Sequence, residues 1–142
     1  MGGLSSERLH ASCVAIGGRA VLIEGPSGSG KSDLALRLID RGAVLVSDDY
    51  TLVTRDGGQL TASAPATIAG QIEVRGLGIV PTAHQGAVPI ALIITLARTV
   101  ERMPEPQTRT MAGVTLPVVA VAGLEASAPI KVELALRMGG VQ

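Results

Sequence analysis

The alternation of apolar and polar positions divides the chain into several short strands and two helices. Apolar runs at residues 20–23, 44–46, 88–97 and 114–122 are typical of buried strands. From residue 31 the apolar positions recur at helical spacing, and they stop at a glycine in position 42. A second helix is predicted over residues 129–138, which begin with proline. The pattern therefore predicts an α/β protein.

Turn signals organise the rest of the chain. Gly17-Gly18 separates a weakly alternating strand at residues 10–16 from the next apolar run, and Asp56-Gly57-Gly58 lies between two strand-like segments. Residues 101–110 are polar and contain proline, so they predict a loop with a short helical piece. Within the last strand, Pro117 favours an edge position or a bulge. The polar residues 1–9 predict a flexible lead-in to one domain over residues 10–142.

Composition narrows the functional classes. The 142 residues include 46% apolar residues but no Trp, no Phe and one Tyr, so stacking platforms for bases or sugars are excluded. Twelve basic and twelve acidic residues give a net charge of zero, which argues against nucleic acid as partner. A lone cysteine, Cys13, permits no internal disulfide, and no apolar run is long enough to insert into a membrane. These features predict a cytoplasmic protein.

The strongest motif is a phosphate-binding loop between the first buried strand and the first helix. GPSGSGKS matches G-x-x-x-x-G-K-[ST] at every fixed position, and chance alone gives such a match on the order of once in 200 such chains. Glycines let backbone N–H groups converge on an anion, and the following helix adds partial positive charge. The alternative is a glycine-rich surface turn. The predicted nucleotide-binding residues are Gly25, Pro26, Ser27, Gly28, Ser29, Gly30, Lys31 and Ser32.

A pair of carboxylates follows the next strand. Residues 44–46 run into Ser47, Asp48 and Asp49, and a helix and a turn fit between the loop lysine and this point. In phosphoryl transfer, one carboxylate holds Mg²⁺ and another accepts the proton of the attacking hydroxyl. Two adjacent acids can supply both roles, which predicts a site for ATP and Mg²⁺. The alternative is a solvated strand end.

Three segments together resemble bacterial HPr kinase/phosphorylase. They are His10 ahead of a strand pair, GPSGSGKSDLALRLIDRGAVLVSDDYTLV at residues 25–53, and the signature-like IEVRGLGIV at residues 72–80. The resemblance implies a P-loop kinase domain like that of phosphoenolpyruvate carboxykinase, with a mixed β-sheet and few helices. It also implies ATP- and Mg-dependent phosphorylation of a serine on an HPr-type phosphocarrier, which regulates the phosphotransferase system.

The resemblance assigns catalytic roles to four residues. Lys31 would hold the β- and γ-phosphates, and Asp49 would accept the proton of the serine hydroxyl. His10 matches the active-site histidine of the family near Asp49. Arg102 matches an arginine that stabilises the transferring phosphate. The alternative is that His10 is a structural residue, a neutral histidine whose hydrogen bonds are satisfied on its strand.

A metal site and a signature loop are also implied. Ser32, Asp48 and Glu73 would hold Mg²⁺, while Arg75 and Gly76 with Glu73 would form the signature loop. Without the resemblance, Glu73 and Arg75 are better explained as a cross-strand ion pair of little energetic value.

The chain also departs from the family pattern. The family's basic loop associated with dephosphorylation is missing, and residues 120–129 stand in its place. The forward kinase reaction is therefore expected and the reverse phosphorolysis is doubtful. The sequence looks like the short form without an N-terminal domain, and the resemblance implies a homo-oligomer, a hexamer. Two alternatives stay open, a small-molecule P-loop kinase and a non-catalytic nucleotide-binding regulatory module.

Overall fold

The computed structural model describes residues 6–141, and within them the chain forms eleven strands, two α-helices and one short 3₁₀ helix, Ala66–Ile68. The elements, in chain order, are β1 Ser6–Leu9, β2 Ser12–Ile16, β3 Arg19–Glu24, α1 Lys31–Asp40, β4 Val44–Ser47, β5 Thr51–Asp56, β6 Gln59–Ser63, β7 Gln71–Val74, β8 Gly78–Pro81, β9 Val88–Leu96, β10 Gln107–Met111, β11 Val114–Val121 and α2 Ala128–Met138. This is the α/β architecture that the hydrophobic pattern predicts.

A mixed nine-stranded sheet positions the site. Seven strands follow the order β1-β5-β6-β9-β3-β2-β4. The other two lie off this path, since β11 pairs with β9 and β10 pairs with β11. Strands β3, β9 and β11 are parallel, and β4 runs with them because both β3 and β4 are antiparallel to β2. The carboxyl ends of these four strands therefore lie at one edge, where open α/β sheets bind ligands.

Both faces of the sheet are buried under aliphatic side chains. On one face, helix α1 contributes Leu34 and Leu38 and helix α2 contributes Val132 and Leu136, with Ile72 from the β7–β8 hairpin beside them. On the other face lies a second cluster, which draws on strands β2 to β6 through Cys13, Leu22, Val46, Val53 and Leu60. The core is therefore built without large aromatic rings, as the composition requires.

Two predicted loops are strands in the structure. Residues 6–9 were expected in the flexible lead-in, but they form β1 and pair antiparallel with β5, from Ser6 opposite Thr54 to Leu9 opposite Thr51. Residues 1–5 of that lead-in lie outside the described residues. Residues 107–110 were expected in a loop with a helical piece, but they belong to β10, which pairs with β11. Both segments are exposed and polar, so their sequences carry little of the apolar alternation that predicts a strand. Pairing with a neighbouring strand makes them strands nevertheless.

Pro117 occupies a position that explains its presence in an internal strand. Strand β11 pairs with β10 over residues 114–118 and with β9 over residues 118–121, so each half has a neighbour on one side. Pro117 lies just before the β9 pairing begins, where β11 has β10 as its one neighbour. A residue without an N–H group is tolerated at such a local edge.

None of the helices within residues 6–141 is long and apolar enough to cross a membrane. The cytoplasmic location stays a prediction from the sequence.

The buried thiol of Cys13 should make stability fall at high pH. The side chain is fully buried, and this desolvation raises its pKa well above the ordinary value of 9.0. Above about pH 9 the unfolded chain loses the thiol proton while the folded chain keeps it. Ionisation therefore favours the unfolded state, and the free energy of unfolding falls as pH rises. We expect the free energy of unfolding to lose about 1.4 kcal/mol per pH unit from this group.

The measurement is urea unfolding, with reductant present, of the native chain and of Cys13→Ala at pH 7.5 and pH 10.5. Below pH 8 the difference in free energy of unfolding between the two proteins should be constant. Above pH 9 the native chain should lose stability relative to Cys13→Ala, because all other groups titrate alike in both proteins. A difference that does not change with pH would contradict the prediction.

Candidate active site

The loop between β3 and α1 has the form of a phosphate cradle. Gly28 and Gly30 have φ of +79° and +96°, in the left-handed region that glycine adopts without strain. The N–H of Ser29 donates to the carbonyl of Pro26 at 3.0 Å, which closes a tight turn. Helix α1 begins directly after Gly30, so its free N–H groups point toward the loop.

Lys31 lies folded across the loop. Its ammonium donates to the carbonyl oxygens of Gly25 at 2.9 Å and Pro26 at 3.3 Å, and the residue is only 7% exposed. A buried cation beside convergent N–H groups is suited to an anion with several charges.

Asp48 is the hydrogen-bonding centre of the site. Its Oδ1 accepts from the hydroxyls of Ser32 at 2.6 Å and Ser12 at 2.9 Å, and its Oδ2 accepts from the backbone N–H of Glu73 at 2.9 Å. One carboxylate therefore ties α1, β2 and the β7–β8 hairpin to the end of β4. The residue is buried, so these donors fix its orientation.

Asp49 lies in a strained three-residue turn and pairs with His10. The N–H of Tyr50 donates to the carbonyl of Asp48 at 2.7 Å, and Asp49 between them has φ of +69°. Such a γ-turn is rare and costs energy, and strain of this kind is concentrated at functional sites. The turn presents the Asp49 carboxylate to solvent, where its Oδ1 lies 2.8 Å from Nε2 of His10.

The β7–β8 hairpin forms one wall of the site. Glu73 and Arg75 are both exposed and belong to the wall, and Gly76 turns the hairpin with φ of +89°. No ion pair joins Glu73 to Arg75, both of which are among the described residues, so the cross-strand ion-pair explanation of these two residues is wrong.

A cavity of about 790 Å³ brings most of the predicted residues together. Its lining includes the glycine loop, Lys31, Ser32, Asp49, His10 and the signature residues 73–76. Arg102 is not among them: it lies on the exposed segment between β9 and β10 and lines neither this cavity nor the neighbouring one. Its catalytic role stays a prediction that this arrangement does not support.

Sequence reasoning missed three residues near the carboxylates. Ser12 is fully buried, bonds to Asp48 and also accepts the backbone N–H of Asp49 at 3.1 Å. The ring of Tyr50 stacks on His10 with centroids 4.9 Å apart, and the guanidinium carbon of Arg8 lies 4.2 Å from the centroid of Tyr50. No local motif marks these residues, because the pairing of β1 with β5 and of β2 with β4 is what brings them to the site.

The donor set fits Mg²⁺ bound chiefly through a nucleotide. The hydroxyl of Ser32 and the carboxylate of Asp48 are hard oxygen ligands side by side, and Glu73 lines the same cavity. Within residues 6–141 no group of three or more His, Cys, Asp or Glu side chains forms a site for a metal ion. Mg²⁺ usually retains waters and phosphate oxygens as ligands, so one carboxylate and one hydroxyl are sufficient protein ligands.

The fold and the site define a P-loop protein of the kinase-like α/β class. Strand β3, the glycine loop and α1 provide the phosphate cradle, and the carboxylates after β4 lie beside it. The chain belongs to the HPr kinase family, because the family model of the HPr Serine kinase C-terminal domain matches residues 4–122.

Individual relatives agree with this assignment. The chain is 44% identical over 73 residues to an HPr kinase/phosphorylase from Mycoplasmopsis pulmonis and 48% identical over the same length to one from Clostridium beijerinckii. Each match covers 51% of this chain and 24% of the relative, so the chain matches about a quarter of the length of these curated proteins. The solved structure of the Hpr(Ser) kinase/phosphatase from Coxiella burnetii superposes with a TM-score of 0.81 at 30% identity, covering 93% of this chain and 95% of that one.

Proposed function

We propose that this protein is an ATP- and Mg-dependent serine kinase that phosphorylates an HPr-type phosphocarrier and so regulates the phosphotransferase system and carbon metabolism. One observation carries the proposal: the phosphate cradle and the Asp49–His10 pair line the same cavity. A cradle alone would serve any nucleotide-binding protein. A carboxylate beside it, paired with an imidazole, supplies the oriented general base that takes the proton of an attacking hydroxyl. Membership of the HPr kinase family and the names of its relatives support the choice of substrate.

The exposure of the pair suits a protein substrate. The side chains of Asp49 and His10 are 58% and 43% exposed, while Asp48 and Lys31 behind them are buried. A serine on the surface of another protein can therefore reach Asp49 without entering a closed pocket. The phosphate-binding groups lie deeper, where charges interact more strongly because water is partly excluded.

The transfer follows from these positions. The serine oxygen attacks the γ-phosphorus in line with the oxygen that bridges to the β-phosphorus, the bond to that bridging oxygen breaks, and ADP leaves. Asp49 accepts the hydroxyl proton, and the hydrogen bond to His10 orients its carboxylate. Lys31 stabilises the charge on the phosphoryl oxygens, and Asp48 holds the hydroxyl of Ser32 in place. Bound Mg²⁺ would neutralise phosphate charge at Ser32 and Asp48.

The test is incubation of the chain with labelled ATP, Mg²⁺ and an HPr-type carrier, followed by mass mapping of the phosphorylated residue. Phosphate on one serine of the carrier, absent when that serine is replaced by alanine, is the expected result. Asp56→Asn is a matched control, since Asp56 ends β5 at an exposed turn and should leave the transfer unchanged. ATP binding without transfer would favour a regulatory module, and transfer only to a small molecule would overturn the protein-kinase assignment.

Reverse phosphorolysis is not part of the proposal. By the family resemblance, residues 120–129 stand in the place of the basic loop associated with dephosphorylation, and Glu125 is the one charged residue among them. The hexameric homo-oligomer also stays a prediction that rests on the family resemblance.

A further inference from the structure

A second cavity, of about 630 Å³, adjoins the phosphate loop and has no part in the transfer described above. It is lined by residues 26–29 of the loop, by residues 96–98 after β9 and by residues 122–125 after β11. Leu124 lines both cavities, so the two spaces meet at this side chain.

The sheet topology decides what each cavity can hold. On one side β3 neighbours β2 and then β4, which carries Asp48 and Asp49, and on the other side it neighbours β9 and then β11. The γ-phosphate must face Asp49 for transfer, so the remainder of a nucleotide has to extend from the loop toward the opposite side. That side is the edge formed by the ends of β9 and β11, where the second cavity lies.

Apolar contacts hold the walls of this cavity close to the loop. A Cβ placed on Gly30 would lie 3.4 Å from Cδ2 of Leu124, and one on Gly25 would lie 3.1 Å from Cβ of Leu96. Leu124 is 81% exposed although it lies against the phosphate loop. An exposed leucine at the mouth of a cavity offers apolar surface to the planar, weakly polar face of a ligand.

Arg37 fixes the segment that carries Leu124. From α1 its guanidinium donates to the carbonyl of Gly123 and, at 3.1 Å, to the carbonyl of Glu125, so it grips the backbone on both sides of Leu124. Its Nε also lies 3.0 Å from the carboxylate of Asp33, one helical turn nearer to the phosphate loop. The helix that begins at the cradle therefore positions the wall of the second cavity.

We infer that the second cavity binds the nucleoside of the nucleotide, and that Arg37 is a positioning residue that holds Leu124 against it. This inference rests on the proposed function, because it takes the phosphates to lie in the first cavity. The lining side chains of the second cavity include no aromatic ring, so the nucleoside is held by aliphatic packing rather than by ring stacking.

The experiment compares two probes that share the triphosphate chain, of which one carries the nucleoside. Calorimetry measures the binding of Mg-ATP and of Mg-tripolyphosphate to the native chain and to Leu124→Ala, Leu124→Met and Arg37→Gln. Loss of the leucine contact should weaken ATP about tenfold. Arg37→Gln should weaken ATP about three- to tenfold, because the leucine must then be ordered on binding. Leu124→Met should restore ATP affinity, and tripolyphosphate affinity should stay unchanged throughout.

The matched control is Arg41→Gln, on the same helix. Arg41 pairs with Glu133 of α2 and lines neither cavity, so its loss removes an interhelical ion pair without touching the site. ATP affinity should equal that of the native chain in this control. Unchanged ATP affinity in Leu124→Ala, an equal loss for both probes, or a native chain that binds both probes equally would overturn the nucleoside site and leave the kinase proposal standing. A native chain that binds neither probe would overturn the phosphate cradle, and both proposals with it.

Discussion

Replacement of Lys31 by alanine is expected to lower Mg-ATP affinity and phosphoryl transfer by about 10²–10³-fold or more. The side chain of Lys31 is a cation folded over the phosphate loop, bonded to the carbonyls of Gly25 and Pro26. Without it, the loop keeps only the partial charges of its N–H groups and of the α1 terminus. The measurements are nucleotide affinity by calorimetry and the single-turnover rate with an HPr-type carrier.

Lys131→Ala is the matched control, because Lys131 is the chain's other lysine. It is half exposed on α2 and pairs with the side chain of Glu125, an ion pair of little energetic value. Its replacement should leave binding and transfer within about twofold of the native values. Melting curves for both variants show whether the chain is folded. Normal transfer by a folded Lys31→Ala protein would mean that this loop does not bind the phosphates.

The sequence predicted the parts of the fold whose signals are local. The glycine loop, α1 and the turns at Gly17-Gly18 and Gly57-Gly58 all lie where they were expected, because glycine conformation and helical spacing are properties of a few adjacent residues. Strand β1 was missed because its residues are exposed and gain strand structure only from pairing with β5.

The same difference between local and long-range signals applies to the site. Asp48 and Asp49 were predicted from the strand that precedes them, and the structure places Asp48 beside Ser32 and Asp49 beside His10. The buried hydroxyl of Ser12 could not be predicted, because its contact with Asp48 spans 36 positions and depends on β2 pairing with β4. The contact of Arg37 with the backbone beyond β11 could not be predicted either, since nothing in a helical pattern predicts that a side chain will bind the backbone of a distant loop.

The two adjacent carboxylates should separate by phenotype when each is replaced by asparagine. Asp48 accepts bonds from two hydroxyls and from the N–H of Glu73, whereas the carboxylate of Asp49 pairs with His10 and is mostly exposed. Asparagine at position 48 can keep its carbonyl toward Glu73 and its amide toward the hydroxyls, which can accept as well as donate. The fold should therefore survive, while Mg²⁺ dependence and nucleotide affinity weaken together.

Asp49→Asn should bind Mg-ATP normally and lose about 10²–10⁴-fold in transfer rate, or roughly 3–5 kcal/mol of barrier. Asparagine keeps the volume and a hydrogen bond to His10, and it tolerates the left-handed backbone of this turn at φ +69°, so the change removes the basic carboxylate and its charge while the shape of the site is kept. Calorimetry for nucleotide affinity and single-turnover transfer for the rate are needed for both variants, since only the two measurements together separate a loss of binding from a loss of transfer. Transfer at the native rate, or a loss explained by failed nucleotide binding, would rule out Asp49 as the base. Exchanged phenotypes would mean that Asp48 and Asp49 exchange roles within the same site.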